Sequence, residues 1–416
     1  MNRQAEPALP SRSRSTRRGM RRVLAALGGT AVGLAMTATA GASPLFHAPD
    51  PDPFYSAPAD LEDRQLGDVL DVRALPPLAT FPGSTVNLVK FRSTNSRGEP
   101  IAATTTVVTP FNHPVDGPLL SYQHIINALG AECAVSHELY SNDPNLVIRE
   151  APALNGVLLQ GWSVALPDHL GPQLAYGAAR LGGQITLDGI RAVKQVAALG
   201  LGRSRVAMAG YSGGGMATAW AAALQPTYAP DLDIAGAAYG GVPMNLVTMV
   251  TALGADSHPA FGLAMAAAIG MEREYPDRLP ISENMNADGL AVGNRMANSC
   301  TNDIIATGAG HSVMEYAAST ALIDSPDARA VLEENSLEYF DGIPTMPIFE
   351  WHSPGDPLLP VDAIDHTDRR YCDAGVRLQV DPIPIPEHMT TAVVGMPLAI
   401  DWVSARMNGV PAPRNC

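Results

Sequence analysis

Hydrophobic and polar positions alternate along the first half of the chain in patterns that predict β-strands. Residues 85–91 and 101–109 alternate and contain many β-branched residues, and they lie on either side of the turn sequence TNSRGEP. Shorter apolar runs bounded by turn residues predict four further strands. These runs lie in GPLLSYQH, GWSVALPDH, RVAMAG and DLDIAGAAYGG.

Apolar residues at helical spacing separate these strands. Helices are predicted over 151–160, 182–199 and 216–224. Strands and helices therefore alternate through residues 116–240, which is typical of a parallel sheet with crossover helices. The proline-rich and acidic segment 44–62 before them is expected to be an extended arm.

The alternation stops after residue 243. Residues 244–340 are rich in Ala, Met and Leu and have few strand candidates, and strand patterns return only in TMPIFEWHS and VRLQVDPI. We therefore expect an α/β core in two parts, 41–243 and 341–416, with a helical insertion at 244–340. The stretch 259–271 is apolar all round, which favours burial against the core over an acyl-binding or interface-facing role.

The first forty residues have the composition of an export signal. Six arginines lie between positions 12 and 22, an apolar run covers 23–36, and Ala38-Thr39-Ala40 fits a cleavage site. This pattern predicts a signal peptide over 1–40, and Arg17-Arg18 also allows a twin-arginine signal. We expect a secreted protein without a stable transmembrane anchor, because the apolar run is too short for a membrane span.

The charge of the chain bears on its partners. Residues 1–40 contain seven arginines and one glutamate, so without them the formal charge falls from −14 to −20. A polyanion such as nucleic acid would be repelled, whereas a small neutral substrate would not. Nucleic acid is therefore not expected as a partner.

The four cysteines indicate disulfides and not a metal site. None of them forms a Cys-x-x-Cys pair, so neither a zinc site nor a thioredoxin-like motif has support. An even count in an exported chain predicts two disulfides, and three pairings are open. We expect no metal and no cofactor. The cysteines are Cys133, Cys300, Cys372 and Cys416.

The sequence Gly210-Tyr211-Ser212-Gly213-Gly214 matches the nucleophile-elbow pattern Gly-x-Ser-x-Gly. A strand is predicted before it and a helix after it, as the elbow requires. Small neighbours allow the strained backbone of such a serine, and the helix N-terminus favours developing negative charge. Ser212 is therefore the candidate nucleophile, and a plain glycine-rich turn is the alternative.

A serine nucleophile needs a base and an acid, which in this architecture follow it in the order acid, then histidine. His388 follows the last predicted strand and precedes a helix, which is the expected place of the base. Asp356 lies in a Gly-Asp-Pro turn after the preceding strand and is the best acid. Weaker candidates among the later residues are His258, His311, His352, His366, Asp362, Asp365 and Asp381.

An oxyanion hole requires two hydrogen-bond donors. One is the backbone N–H of Gly213, the residue after the nucleophile. The second should come from the loop after an earlier strand, within SYQHIINALGAEC, and the residues alone do not identify it.

Taken together, several stretches resemble the secretory lipase family of α/β-hydrolases. They are DPFYSAP, SYQ with a cysteine ten residues further on, GWSVALPDHLGP, LDGIRAV, GYSGGG, GDPLLP and EHMTTAVVGMPLAIDW. The resemblance implies an α/β-hydrolase fold with a mostly parallel sheet and a helical cap or lid. It also implies hydrolysis of acylglycerols and other esters, with a lipid–water interface as a potential partner.

Carried onto this chain, the resemblance makes Ser212, Asp356 and His388 a catalytic triad. It places the second oxyanion donor at Asn127, where a family enzyme carries an aspartate. A backbone donor would survive that difference, but a side-chain donor would not carry over directly. The resemblance further implies the disulfides Cys133–Cys300 and Cys372–Cys416.

The sequence thus predicts a secreted serine esterase or lipase that forms an acyl-enzyme intermediate. Two alternatives remain open at this point. One is an acyltransferase or peptidase with the same triad, and the other is a non-catalytic lipid-binding protein of the same fold.

Overall fold

A nine-stranded sheet forms the centre of the protein. The computed structural model describes residues 44–416, so the predicted signal peptide lies outside the described residues. The strands are β1 (Val69–Leu75), β2 (Ser84–Thr94), β3 (Pro100–Pro110), β4 (Leu119–Gln123), β5 (Ser163–Pro167), β6 (Val206–Tyr211), β7 (Ile234–Gly240), β8 (Ile348–His352) and β9 (Leu378–Pro382).

The strands are arranged in the order β1-β2-β3-β5-β4-β6-β7-β8-β9. The pairs β1–β2, β2–β3 and β3–β5 are antiparallel, whereas all pairs from β5 to β9 are parallel. Every residue of β4, β5 and β6 is buried, as expected for parallel strands covered on both faces. The predicted mostly parallel α/β architecture is confirmed.

Twelve α-helices are found in the described residues. They are α1 (Val135–Glu138), α2 (Ala151–Leu159), α3 (Ala179–Gln195), α4 (Ser212–Tyr228), α5 (Leu246–Gly254), α6 (Phe261–Glu274), α7 (Ala287–Met296), α8 (Thr301–Gly308), α9 (Val313–Tyr316), α10 (Pro326–Glu334), α11 (Val361–Asp373) and α12 (His388–Met407). A five-residue π-helical segment, Leu146–Glu150, directly precedes α2.

The two faces of the sheet carry separate hydrophobic clusters. Helices α3 and α4 pack on one face, with Ile185 and Trp220 in the cluster. Helices α2 and α12 cover the other face, where Leu154 and Trp402 are buried. Because β4, β6 and β8 run in the same direction in the sheet, their carboxyl ends lie at one edge.

Three elements differ from the sequence-based expectation. Helix α4 begins four residues earlier than predicted, because the glycines after Ser212 have low helix propensity and carry no periodic pattern. Helix α3 covers Ala179–Gln195, and a 3-10 turn follows at Ala197–Leu199. β1 was not predicted, since most of its residues are partly or fully exposed.

The segment between β7 and β8 contains α5 to α10. Its own hydrophobic cluster includes Phe261 and Ile269 of α6 together with Ile304 of α8. Gly262 and Gly308 let α6 and α8 approach closely, because a Cβ atom at either position would collide with the other helix. None of the helices between residues 44 and 416 is long and apolar enough to span a bilayer.

A buried arginine joins this helical segment to the rest of the protein. Arg273 of α6 is 3% exposed and donates hydrogen bonds only to backbone carbonyls. The acceptors belong to four separate segments and lie 2.8–3.3 Å away. They are Leu45, Leu129, Gln173, Leu174 and Ala297. Burial lowers the pKa of Arg273 to about 10.

Two disulfides crosslink the chain. Cys133–Cys300 joins the loop after β4 to the start of α8, and Cys372–Cys416 ties the C-terminal tail to α11. Both pairs agree with the pairing that the family resemblance implied. No free cysteine occurs in the described part of the chain.

Candidate active site

Ser212 occupies the sharp corner between β6 and α4. Its φ of 54° lies in the left-handed region, which is strained for a residue with a side chain. Gly210 is required on one side, since a Cβ atom there would come within 2.6 Å of Gly214 and Thr218. Gly214 is required on the other, since its Cβ atom would collide with the carbonyl of Gln123. The glycines thus allow the serine to project from the corner.

Three of the predicted residues form a continuous hydrogen-bonded chain. His388 Nε2 lies 2.9 Å from Ser212 Oγ, and His388 Nδ1 lies 2.6 Å from Asp356 Oδ2. The side chain of Asp356 is fully buried and that of His388 nearly so. In this arrangement the serine hydroxyl donates to Nε2 and Nδ1–H donates to the carboxylate.

Loops at the carboxyl ends of β8 and β9 position the acid and the base. The backbone N–H of Asp356 donates to Ser353 O at 3.2 Å, and Asp356 Oδ1 accepts from the N–H of Leu358 at 2.9 Å. His388 is the first residue of α12. The cap of that helix is Glu387, whose side chain accepts from the backbone N–H groups of its first turn.

Tyr211, the residue before the serine, supports the histidine from beneath. Its hydroxyl donates to His388 O at 2.8 Å, and the two ring centroids are 5.1 Å apart. Trp351 of β8 packs against the same tyrosine at 5.5 Å. The elbow therefore fixes both the nucleophile and the start of α12.

The weaker candidates lie away from this chain. The Nδ1 atoms of His311, His352 and His366 lie within hydrogen-bond distance, 2.7–2.8 Å, of the carboxylates of Glu315, Glu350 and Glu338, respectively. His258 accepts a hydrogen bond from the backbone of Ala260. Asp362 and Asp365 are exposed on α11, and Asp381 is partly buried in β9.

Asn127 and Gly213 lie side by side next to Ser212. A Cβ atom at Gly213 would come within 2.6 Å of Asn127 Oδ1, so the amide side chain covers that glycine. The backbone N–H of Asn127 donates to the hydroxyl of Thr301 at 3.3 Å. The side-chain amide of Asn127 has no hydrogen-bond partner among the described residues, and Asn127 is one of the residues that line the cavity described next.

An apolar cavity of about 240 Å³ opens at Ser212. Its polar end is formed by Asn127, Ser212 and His388, and most of the remaining wall is contributed by α5, α6 and the segments up to α10. Apolar side chains dominate this wall, including Met249, Leu253, Phe261, Met265 and Leu279. Helix α6 thus packs with one side on α8 and lines the cavity with another.

No metal centre is found in residues 44–416, where no group of three His, Cys, Asp or Glu side chains is placed to hold an ion.

Buried ionisable groups do occur behind the loop after β4. Burial alone would lower the pKa of His124, but Glu150 and Glu138 outweigh it and raise the pKa to about 9. Burial lowers the pKa of the nearby His169 to about 4.

The fold and the serine on its strained strand–helix corner define an α/β-hydrolase. Comparison with known sequences gives the family: the secretory lipase profile matches residues 146–415. The chain is 32% identical to Lipase 4 of Candida albicans, over 88% of this chain and 83% of that protein. It is 31% identical to Lipase A of Arthroderma benhamiae, over 88% and 81% of the two chains.

A solved structure leads to the same family. Candida antarctica lipase A, crystallised in its closed state, superposes with a TM-score of 0.81 at 27% identity, covering 88% of this chain and 89% of that one. The chain belongs to the secretory lipase family, and it is a carboxylic ester hydrolase that acts on lipid esters. The family and the two disulfides point to an extracellular protein.

Sequence reasoning missed the residues that support the site. Arg149 and Glu150, whose side chains bind the backbone of Ile125 two residues before Asn127, carry no motif, and charged residues before a predicted helix ordinarily face solvent. Thr301 lies 174 positions after Asn127, so no local pattern connects the two. The aromatic ring of Tyr211 inside the elbow pentapeptide was the one available signal, since a large side chain there must pack under the corner.

Proposed function

We propose that Ser212, His388 and Asp356 hydrolyse lipid esters through an acyl-enzyme intermediate. The observation that carries this proposal is the hydrogen-bonded chain from Ser212 Oγ through the imidazole to Asp356 Oδ2. In this chain Ser212 corresponds to the nucleophile and His388 to the general base. Asp356 corresponds to the group that orients the base and stabilises its charged form.

In the first step His388 Nε2 accepts the serine proton while Ser212 Oγ attacks the ester carbonyl carbon. The tetrahedral intermediate collapses, and the protonated imidazole gives its proton to the departing alcohol. Water then attacks the acyl-enzyme by the same route and releases the carboxylic acid. The acid–base contribution of such a histidine is about 10²- to 10⁴-fold.

The oxyanion is held by two donors in this proposal. One is the backbone N–H of Gly213, at the N-terminus of α4. The other is Asn127, and we assign this role to its side-chain amide because its backbone N–H already donates to Thr301. The amide has no other partner among the described residues and shares the cavity with Ser212.

The apolar character of the cavity favours an acyl chain as the group that binds beside Ser212. Its wall is mostly apolar, and Ser212, His388 and Asn127 all line it. A peptide would leave its backbone N–H and C=O groups unpaired against such a wall. We therefore favour ester hydrolysis over peptide hydrolysis.

We assign a separate role to each of four regions of the chain. We infer a signal peptide at 1–40, in which Arg17-Arg18 leaves a twin-arginine export route open, and core parts at 41–243 and 341–416. Residues 244–340 form the cap that supplies the cavity wall. N-terminal sequencing of the exported protein tests the first inference. A start other than residue 41, or residue 43 if cleavage follows the second small-residue site Ala40-Gly41-Ala42, contradicts it.

The triad is tested with Ser212→Ala and a fluorophosphonate probe, which labels only an activated serine. We expect the variant to lose both labelling and 4-nitrophenyl butyrate turnover while its circular dichroism spectrum is unchanged. Ser204→Ala is the matched control, since Ser204 is a buried serine just before β6, whereas Ser212 directly follows that strand. Labelling that persists in Ser212→Ala would refute the assignment.

A further inference from the structure

The loop that follows β4 is held from two sides. On the side of the elbow, Gly214 packs against the carbonyls of Gln123 and His124. The hydroxyl of Thr218 donates to Gln123 Oε1 at 2.7 Å, which fixes the end of β4 on α4. The elbow thus determines where the loop begins, but it does not determine the course of the loop from residue 125 to Asn127.

The opposite side of the loop is held by two consecutive charged residues. Glu150 Oε1 accepts from the backbone N–H of Ile125 at 3.0 Å. Arg149 Nη2 donates to the backbone carbonyl of Ile125 at 3.3 Å. Both peptide groups that flank Ile125 are therefore bound by side chains, two residues before Asn127.

The local backbone explains how adjacent side chains reach the same residue. Arg149 and Glu150 end the π-helical segment Leu146–Glu150, whose wider turn directs successive side chains differently from an α-helix. Short π-helical segments of this kind often occur at functional sites. The segment leads directly into α2, whose packing on the sheet anchors it.

The charge of Glu150 is balanced inside the protein. Its side chain is fully buried, its second oxygen bonds His124 Nδ1, and Arg149 Nε lies 3.5 Å from its first. Burial alone would raise the pKa of Glu150, but His124 and Arg149 outweigh burial and lower it. An ionised and immobile carboxylate of this kind is costly to bury without paired charges, so each partner is needed to keep it in place.

We propose that Glu150 is a positioning residue for ester hydrolysis, because its carboxylate fixes the backbone at Ile125 and thereby holds Asn127 beside Gly213 and Ser212. This inference rests on the proposed role of Asn127 in binding the oxyanion. A displacement of an oxyanion donor by about 1 Å is enough to reduce turnover strongly, since such donors act through short, directed hydrogen bonds.

The test compares Glu150→Met with Glu150→Gln. The methionine removes both acceptor oxygens, and we expect kcat for 4-nitrophenyl butyrate to fall about 10- to 100-fold with KM within about threefold. The glutamine keeps an oxygen for the N–H of Ile125, so it should retain more activity than the methionine. An alkylboronic acid, which forms a tetrahedral adduct with the serine, should bind more weakly in proportion to kcat.

A matched control separates positioning from general loss of stability. Asp188 is also fully buried, pairs with Arg191 at 2.9 Å and accepts from Ser93 and Tyr228. Tyr228 ends α4, about 24 Å from Ser212 by the rise of the helix. Asp188→Leu should therefore lower thermal stability while leaving kcat and the boronate inhibition constant unchanged per folded molecule.

Three results would overturn the proposal. They are wild-type kcat in Glu150→Met, an equal loss of kcat in Asp188→Leu, and boronate binding that does not change with kcat. If Glu150→Met does not fold, Arg149→Met is the substitute test. It removes the hydrogen bond to the carbonyl of Ile125 and keeps the Glu150 carboxylate. Unchanged kcat in Arg149→Met would then refute the positioning role. Absence of Ser212-dependent turnover in the wild type would instead refute the proposed function.

Discussion

Replacement of Arg273 by methionine tests how the helical segment between β7 and β8 is attached to the core. The guanidinium donates to five backbone carbonyls from four segments, and four of these bonds measure 2.8–2.9 Å. The methionine keeps much of the apolar volume of the side chain but leaves four of these carbonyls without their donor, since Leu174 O also accepts from the backbone N–H of Tyr176.

The magnitude follows from the buried acceptors. Each buried carbonyl that loses its donor costs about 1–3 kcal/mol, so four acceptors set an upper range of about 4–12 kcal/mol. Two effects offset part of this cost: water can enter the site, and a buried charge is removed. We therefore expect the free energy of unfolding to fall by about 3–5 kcal/mol, as at other buried sites where one partner is removed. With an unfolding entropy of about 2.1 cal/mol/K per residue over about 370 residues, Tm should fall by about 4–6 °C.

The assay is differential scanning fluorimetry of the wild type and Arg273→Met under identical conditions. Arg278→Met is the matched control, because Arg278 lies in the same helical segment but pairs with Glu334 at a partly exposed position. Its Tm should change by less than about 1 °C. A fall of less than about 2 °C in Arg273→Met would show that the five bonds contribute little, and the reasoning from orphaned carbonyls would be wrong.

Three further predictions concern the oxyanion loop and the tail. Asn127→Leu removes the amide at nearly constant volume, and kcat should fall about 10²- to 10³-fold; turnover within threefold of the wild type would exclude the side-chain donor. Because His124 has a pKa of about 9 in the folded protein and about 6.5 when unfolded, its pairing with Glu150 stabilises the fold below pH 6.5 and loses this effect as the pH rises through 9. Chemical unfolding should therefore show the wild type losing about 3 kcal/mol more than His124→Gln between these values, and parallel pH curves would contradict it. The Cys372→Ser/Cys416→Ser double variant opens a loop with a sequence separation of 44 and should lower the unfolding free energy by up to about 4 kcal/mol, measured in urea; no change in the urea midpoint would count against it.

The sequence pattern predicted the strands that bury both faces but not those that are exposed. β6 is an unbroken apolar run, so its position was visible in RVAMAG, whereas β1 alternates irregularly and pairs only at the sheet edge. The start of α4 was misplaced because Gly213 to Gly215 have no side chains from which a helical pattern could be recognised. Those glycines are needed for contacts with β4 and β7, which no local pattern contains.

The candidate site divides in the same way. Ser212, Asp356 and His388 could be selected from the sequence because each follows a strand in a fixed order along the chain. The supports could not, because they depend on proximity between distant segments, as when Glu150 reaches Ile125 or Thr301 reaches Asn127. The sequence also could not indicate whether Asn127 would act through its backbone or its side chain. The contact between its backbone N–H and Thr301, which favours the side chain, is visible only in the structure.

The division of the cavity wall has a consequence for engineering. The groups proposed to react come from loops of the sheet, whereas most of the surface that an acyl chain would touch belongs to residues between Leu246 and Leu332. Side chains such as Met249 or Leu253 can therefore be varied in libraries without altering any hydrogen bond of Ser212, His388 or Asp356. The side chains that would set selectivity for substrate shape thus lie mostly on a different stretch of the chain from the groups proposed to react, and they can be varied while those groups are kept.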